Sequence, residues 1–265
     1  MHPDPYSSPE AIRSFQESAF IQLIGYLRAH SPFYREKLKN LDAAGLDDLH
    51  KLPVTTKEDL QKYNEQFLCV PKNRVVEYCT TSGTLGNPVT LALTDQDLDR
   101  LAYNEFLTFT AAGLTAADTI LLMLSLDRQF MAGIAYYLGA RKLGAGIVRG
   151  GPGNHSLQLE TILRTKPTAL VSVPTFIAGF TEFAIQKGID LNETSVRKII
   201  CIGENVRHED FSPNALSDRI TSRWNVELYS TYASTEQQTA FSECAQGMGG
   251  HHHFDLLVFE ILDEQ

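Results

Sequence analysis

From about Val75 to Ser234 the chain alternates short apolar runs with longer amphipathic stretches, and this order constrains the fold more than any other feature. VVEYC, VTLAL, TILLML, AGIVRGG, TALVSV, VRKIICIG and VELYSTYAS read as strands or strand starts. Between the later ones lie QDLDRLAYNEFLTFTAAG, MAGIAYYLGARKLG, HSLQLETILRTK, FIAGFTEFAIQKG and SPNALSDRITSRW, which read as helices. Near-continuous apolar strands bury both faces, and strand–helix alternation is the signature of helices packed on a parallel or mixed sheet. The fold class expected is therefore α/β, with a layered mixed or parallel sheet and flanking helices.

A helical segment precedes this pattern. AIRSFQESAFIQLIGYLRAH sets Ile12, Phe15, Phe20, Leu23, Ile24 and Leu27 near one side of a helix, and SPFYREKLKN adds a short one. In LPVTTKEDLQKY, Thr55 or Thr56 caps a further helix that carries Glu58 in its first turn. Two domains are expected: residues 1–72 as a helical lead-in and 73–265 as the α/β portion that holds the chemistry. At the other end, HHHFDLLVFEILDEQ carries an apolar run suited to a strand covered on both faces. With nothing after it to provide the cover, a truncated large domain is the expectation.

With 23 Lys and Arg against 32 Asp and Glu, a formal charge of -9 disfavours nonspecific attraction to nucleic acid or an anionic membrane. The start, MHPDPYSSPE, has no basic segment and apolar run of a secretion signal, and no stretch is long and apolar enough to span a bilayer, so a cytoplasmic location is expected. The widely spaced Cys69, Cys79, Cys201 and Cys244 suggest no disulfide scaffold. A homodimer stays open.

The densest local signal is Thr80-Thr81-Ser82-Gly83-Thr84-Leu85-Gly86-Asn87-Pro88, between two strands. Its glycines admit close backbone approach and its hydroxyls can donate to phosphate oxygens, while an ordinary Ser/Thr-rich hairpin remains the alternative. It lacks the Gly-Lys-Ser/Thr ending of a Walker A loop, and no Gly-x-Gly-x-x-Gly of a dehydrogenase accompanies the pattern. Two further stretches stand out, ICIGENVR and Tyr232-Ala233-Ser234-Thr235-Glu236.

These three stretches, in this order, resemble the motifs of the adenylate-forming enzymes, and the surrounding chain, including SPFYREKL and LPVTTKEDL, is similar to their phenylacetate-CoA ligase (PaaK/CapK-like) branch. The resemblance implies an N-terminal large domain without its small C-terminal domain. It also implies that Thr81, Ser82, Gly83, Thr84 and Gly86 wrap ATP phosphates, that Gly203 and Glu204 shape the adenine pocket, and that Tyr232 stacks on the base. Thr235 would contact the α-phosphate and Glu236 hold Mg²⁺, so Thr84, Thr235 and Glu236 form the expected catalytic set. Leu85 and Asn87 depart from the family pattern, where a hydroxyl residue and a lysine are usual; the lost cation would weaken phosphate contact.

The implied reaction is ATP-dependent activation of a carboxylic acid, of aryl type, to an acyl-adenylate, with CoA as thiol acceptor in the complete parent enzyme. Phe130, Met131, Gly133 and Ala233 are the expected lining of the acid pocket, whose apolar and small residues would bury a ring. Cys244, His251 and His253 are candidate zinc ligands, because alternate residues of an extended chain face one side; as a set of three they are incomplete, and Cys201 or Asp255 could add to them. Two other readings stand beside the ligase: a noncatalytic nucleotide-binding regulatory or scaffold fragment, and a zinc-organised interaction module.

Overall fold

The structure, a computed structural model, describes residues 8–42, 45–81 and 88–261. It divides into two compact units, one of residues 1–95 with 253–265 and the other of residues 96–252.

In the first unit, α1 (Pro9–His30) starts at the Ser8 cap, whose hydroxyl accepts from the Ala11 amide, and carries Pro9 where a helix has no need of that N–H. It buries Phe20 and Ile24 against Leu38, while Leu23, expected on the same stripe, is exposed. Helix α2 (Pro32–Lys37) is capped by Ser31 and α3 (Lys57–Tyr63) by Thr56, which forms a reciprocal capping box with Asp59. Strands β1 (Glu77–Thr80) and β2 (Thr90–Leu93) pair antiparallel and belong to the same unit as these helices.

The second unit is built on a sheet. After α4 (Asp95–Ala111), strand β3 (Thr119–Leu122) leads through α5 (Met131–Leu143) to β4 (Gly146–Arg149), then through α6 (His155–Thr165) to β5 (Ala169–Ser172). Helix α7 (Pro174–Gln186) leads to β6 (Lys198–Cys201), and α8 (Ala215–Thr221) to β7 (Glu227–Ser234). Strands β8 (Thr239–Glu243) and β9 (Gly250–His251) complete the spatial order β4-β3-β5-β6-β7-β8-β9 among the described residues. The first five are parallel and the last two join antiparallel, which makes the sheet mixed.

Both faces of the parallel part are covered, as its apolar runs require. Leu121, Met123, Leu170, Ile199, Cys201 and Leu228 point one way, onto Ile162 of α6, Ile177 and Phe180 of α7, and Ile220 and Trp224 at α8. Their chain neighbours Ile120, Leu122, Val171, Ile200, Ile202 and Tyr229 point the other way, onto Phe109 of α4 and Tyr136 and Ala140 of α5. The period-2 alternation of a strand accounts for this division.

One expectation fails, and one strand was not foreseen. The apolar run at residues 256–261 forms no strand: it leaves a turn and continues as irregular chain, with Val258, Phe259 and Ile261 exposed, and it pairs with no strand among the described residues. Strand β8, conversely, was not expected from TAFSE, a stretch too short and too polar to stand out from a loop.

Candidate active site

Strand β3 lies between β4 and β5, so the chain first winds toward one edge of the sheet and then crosses back to wind toward the other. In open α/β sheets, ligands settle beside such a reversal, at the carboxyl ends of the strands. A cavity of about 450 Å³ opens at that end of the second unit. Residues 202–205 after β6, 231–235 on β7 and just beyond it, and 130–132 at the start of α5 line its walls, together with Leu101 and Glu105 of α4, Ala135 and Tyr136 of α5, and Gln238 and Thr239.

The β6 side is shaped by a turn. Gly203 takes φ +76, a left-handed conformation that a side chain would strain, and so turns the chain away at the strand end. Glu204, next along, accepts from both the Thr175 amide (2.8 Å) and the Thr175 hydroxyl (2.6 Å). Its carboxylate thus ties the cavity wall to the first turn of α7, where the unpaired amides favour a negative charge.

On the β7 side, Tyr232 is 65% exposed and presents its ring to the cavity, resting near Phe241 at 6.1 Å between centroids. Ala233 beside it adds no bulk. Thr235 lies half-buried at the rim, in the turn from β7 to β8, and Glu236 follows it, exposed and with no hydrogen bond or ion pair among the described residues. Arg100 of α4 holds this turn by donating to the carbonyl of Gln238 (2.9 Å) and the hydroxyl of Thr239 (2.9 Å).

On the α5 side, Arg128 and Gln129 both adopt positive φ, at 57° and 58°. Two successive non-glycine residues in that region carry strain, and the turn they make delivers Phe130 and Met131 to the cavity. Gly133 lies elsewhere. A Cβ there would meet the Ser125 carbonyl oxygen at 2.0 Å, so its role is close packing of α5 on the loop after β3 and not the opening of pocket volume.

Of the phosphate loop, Ser82, Gly83, Thr84 and Gly86 lie outside the described residues. Thr81 is buried at the neck of the β1–β2 hairpin, where its hydroxyl accepts from the Val89 amide (3.0 Å) and its own amide donates to the Val89 carbonyl (3.0 Å). The Thr81 side chain is thereby engaged in closing the hairpin.

The zinc clamp is not assembled. Among the described residues, no three His, Cys, Asp or Glu side chains come together as a metal-holding group. Strand β9 ends at His251, so the alternation that would bring His253 to the same side does not continue, and His251 itself is exposed. Cys201 is fully buried in the core, where burial pushes its thiol far above the ordinary range and away from the thiolate a metal needs. Magnesium makes a smaller demand, one or two carboxylates beside phosphate and water oxygens, and the exposed Glu236 next to Thr235 fits it.

The residue that sequence reasoning missed is Glu105. It sits one helical turn from Leu101 and another from Phe109, on the buried side of α4, and is 5% exposed. A carboxylate at that spacing within an apolar stripe was the available signal.

No known family profile matches the chain. The phenylacetate-coenzyme A ligase of Escherichia coli (strain K12) is 28% identical over 207 residues, which are 74% of this chain and 46% of that enzyme. That of Thermus thermophilus is 28% identical over 194 residues, 71% of this chain and 43% of that enzyme. The chain thus spans about half the length of the curated relatives it matches. Among solved structures, 2-hydroxyisobutyryl-CoA ligase with 2-HIB-AMP and CoA in its thioesterification state superposes with a TM-score of 0.76, at 20% identity over 90% of this chain and 52% of that one. The same ligase in an open conformation gives 0.75, at 19% identity over 89% and 55%. The fold is that of the N-terminal domain of adenylate-forming acyl-CoA ligases, and sequence and fold together place the chain in that superfamily. Its sequence relatives named above are phenylacetate-coenzyme A ligases, each matched over less than half of its length.

Proposed function

We propose that this chain is the ATP- and acid-binding large-domain portion of a ligase that activates a carboxylic acid, of the aryl type that phenylacetate exemplifies. The observation that supports it is convergence: the turn at Gly203 and Glu204 and the stretch from Tyr232 to Thr235, far apart in sequence, line one cavity at the carboxyl ends of the sheet strands. Tyr232 offers the face for adenine, and Gly203 lets the backbone pass close to the base. Thr235 contacts the α-phosphate, and Thr81, Ser82, Gly83, Thr84 and Gly86 contribute the phosphate loop. Glu236 with Thr235 would hold magnesium, which when bound offsets phosphate charge. Phe130, Met131 and Ala233 bound the acid end.

In the proposed step, a carboxylate oxygen of the acid attacks the α-phosphorus of ATP. The bond from that phosphorus to the bridging oxygen breaks and pyrophosphate departs with its electron pair, leaving an acyl-adenylate. The chain supplies alignment and hydrogen-bond donors to the charge that develops on phosphate. In the complete protein, a thiol such as that of CoA then displaces AMP from the acyl carbon.

Acid-dependent exchange of labelled pyrophosphate into ATP, measured on this chain with magnesium, tests the reading. Exchange above a no-acid control with phenylacetate or a benzoate-type acid is the expected result, and Tyr232→Ala should weaken ATP binding by ~10-fold, within the range of a base–aromatic stack. A folded chain that binds ATP but exchanges nothing with any acid would instead be a nucleotide-binding scaffold.

A further inference from the structure

The cavity contains a buried carboxyl group that the adenylation chemistry does not use. Glu105 lines the inner wall together with Leu101, Met131, Ala135, Tyr136 and Ile202. Its Oε1 accepts from Asn104 Nδ2 at 3.0 Å, and Asn104 is itself held by the Ala240 amide, which donates to its Oδ1 at 3.1 Å. The carboxyl is therefore fixed in place from β8 through Asn104. Its Oε2 is buried and has no hydrogen-bond partner among the described residues.

The Thr108 and Tyr136 hydroxyls stand close enough to Glu105 to influence its ionisation, and each also has a partner of its own. Thr231 donates to the Cys201 carbonyl at 3.1 Å, which leaves Tyr136 as the donor in its 3.2 Å bond to Thr231. The Thr108 hydroxyl bonds Ser242 at 2.6 Å and the Asn104 carbonyl at 3.3 Å. Burial pushes Glu105 up to about 7, with Thr108, Asn104 and Tyr136 offsetting part of that rise. A buried oxygen without a partner costs free energy that a ligand donor recovers, and a wholly apolar ligand does not.

We propose that Glu105 makes this pocket select carboxylic acids that carry a hydroxyl or amino group on the end remote from the reacting carboxylate. The inference rests on reading the cavity as the acid pocket of an adenylating enzyme. A pocket built to bond a substrate hydroxyl rejects the analogue without it far more strongly than an apolar pocket distinguishes a methylene, because rejection leaves the protein group unpaired. The aromatic and aliphatic side chains around Glu105 bury the body of the acid, and Glu105 reads its tip.

Calorimetric titration of the whole chain tests this, first with ATP alone and then with paired acids: phenylacetate against its 2-, 3- and 4-hydroxy and 4-amino derivatives, and butanoate against 4-hydroxybutanoate. At least one substituted acid should bind ~10-fold or more tightly than its parent. Glu105→Leu should abolish that preference while still binding the parent acid, and Glu105→Gln, whose carbonyl still accepts, should keep part of it. Parents that bind as tightly as every substituted partner, or a preference unchanged in Glu105→Leu, would overturn the proposal. If Glu105→Leu does not fold, the wild-type and Glu105→Gln titrations decide alone. ATP binding with no binding of any acid overturns this inference and leaves the nucleotide site standing, whereas absence of ATP binding overturns the reading on which it rests.

Discussion

Glu105 is as informative about stability as about ligands. Its carboxyl is raised to about 7 by burial, against 4.5 for a free glutamate side chain. In the unfolded chain the group ionises near its ordinary value, whereas in the folded chain it keeps its proton longer, so between these two values the folded state binds more protons. Stability contributed by the protonated group is complete at low pH and is lost as pH rises through that window, with a full difference on the order of 3 kcal/mol. Glu105→Gln should therefore melt at about the same temperature as wild type near pH 4.5 and above it at pH 8. Thermal unfolding scanned across pH reads this directly; parallel curves for the two proteins would show that Glu105 titrates normally. The sequence marked Tyr232, Thr235 and Gly203 by their motifs, since each belongs to a short contiguous pattern. Glu105 has no such pattern, and its meaning comes from burial beside residues distant in the chain.

At the scale of elements, close approach decides what a glycine does. Gly133 looks in the sequence like room for a substrate, yet in the structure it faces the Ser125 carbonyl across a gap that no methyl fits. In an ordinary helix, Gly→Ala stabilises by roughly 1 kcal/mol. Gly133→Ala should have the opposite sign, costing ~1–3 kcal/mol because α5 must move off the loop that precedes it. Denaturant unfolding of the variant settles the sign, and stabilisation would mean that the loop yields freely. The helices of the α/β portion were legible because each carries an apolar face at helical spacing and a polar opposite face. Thr56 was one of two caps the sequence offered, and Asp59 three residues later is what favours it. Strand β8 went unassigned and the segment at residues 256–261 was misread for one reason: whether a short stretch is a strand depends on a partner strand, which no local pattern contains.

Over the whole molecule, the second unit depends on a sheet sandwiched between two apolar layers. Phe180 and Trp224 lie together in one layer, fully buried, with ring centroids 6.0 Å apart. Trp224 is the chain's single tryptophan, so its fluorescence reports this layer. Phe180→Ala should lower the urea midpoint seen through Trp224 by the equivalent of ~3–5 kcal/mol, the usual loss for a large core ring. A shift below ~1 kcal/mol would indicate that the layer collapses around the void.

The sequence by itself determined the α/β class and the order of most helices and strands, because hydrophobic periodicity, caps and glycine-bearing turns act over a few neighbouring residues. Only the tertiary structure decided that the turn at Gly203 and Glu204 shares a cavity with Tyr232 and Thr235, that Glu204 is tied to α7, that Cys244, His251 and His253 do not gather into a metal clamp, and that Glu105 is buried at the inner wall. Each of these depends on which distant segments the sheet brings side by side, and pairing across a sheet is set by the packing of both its faces together.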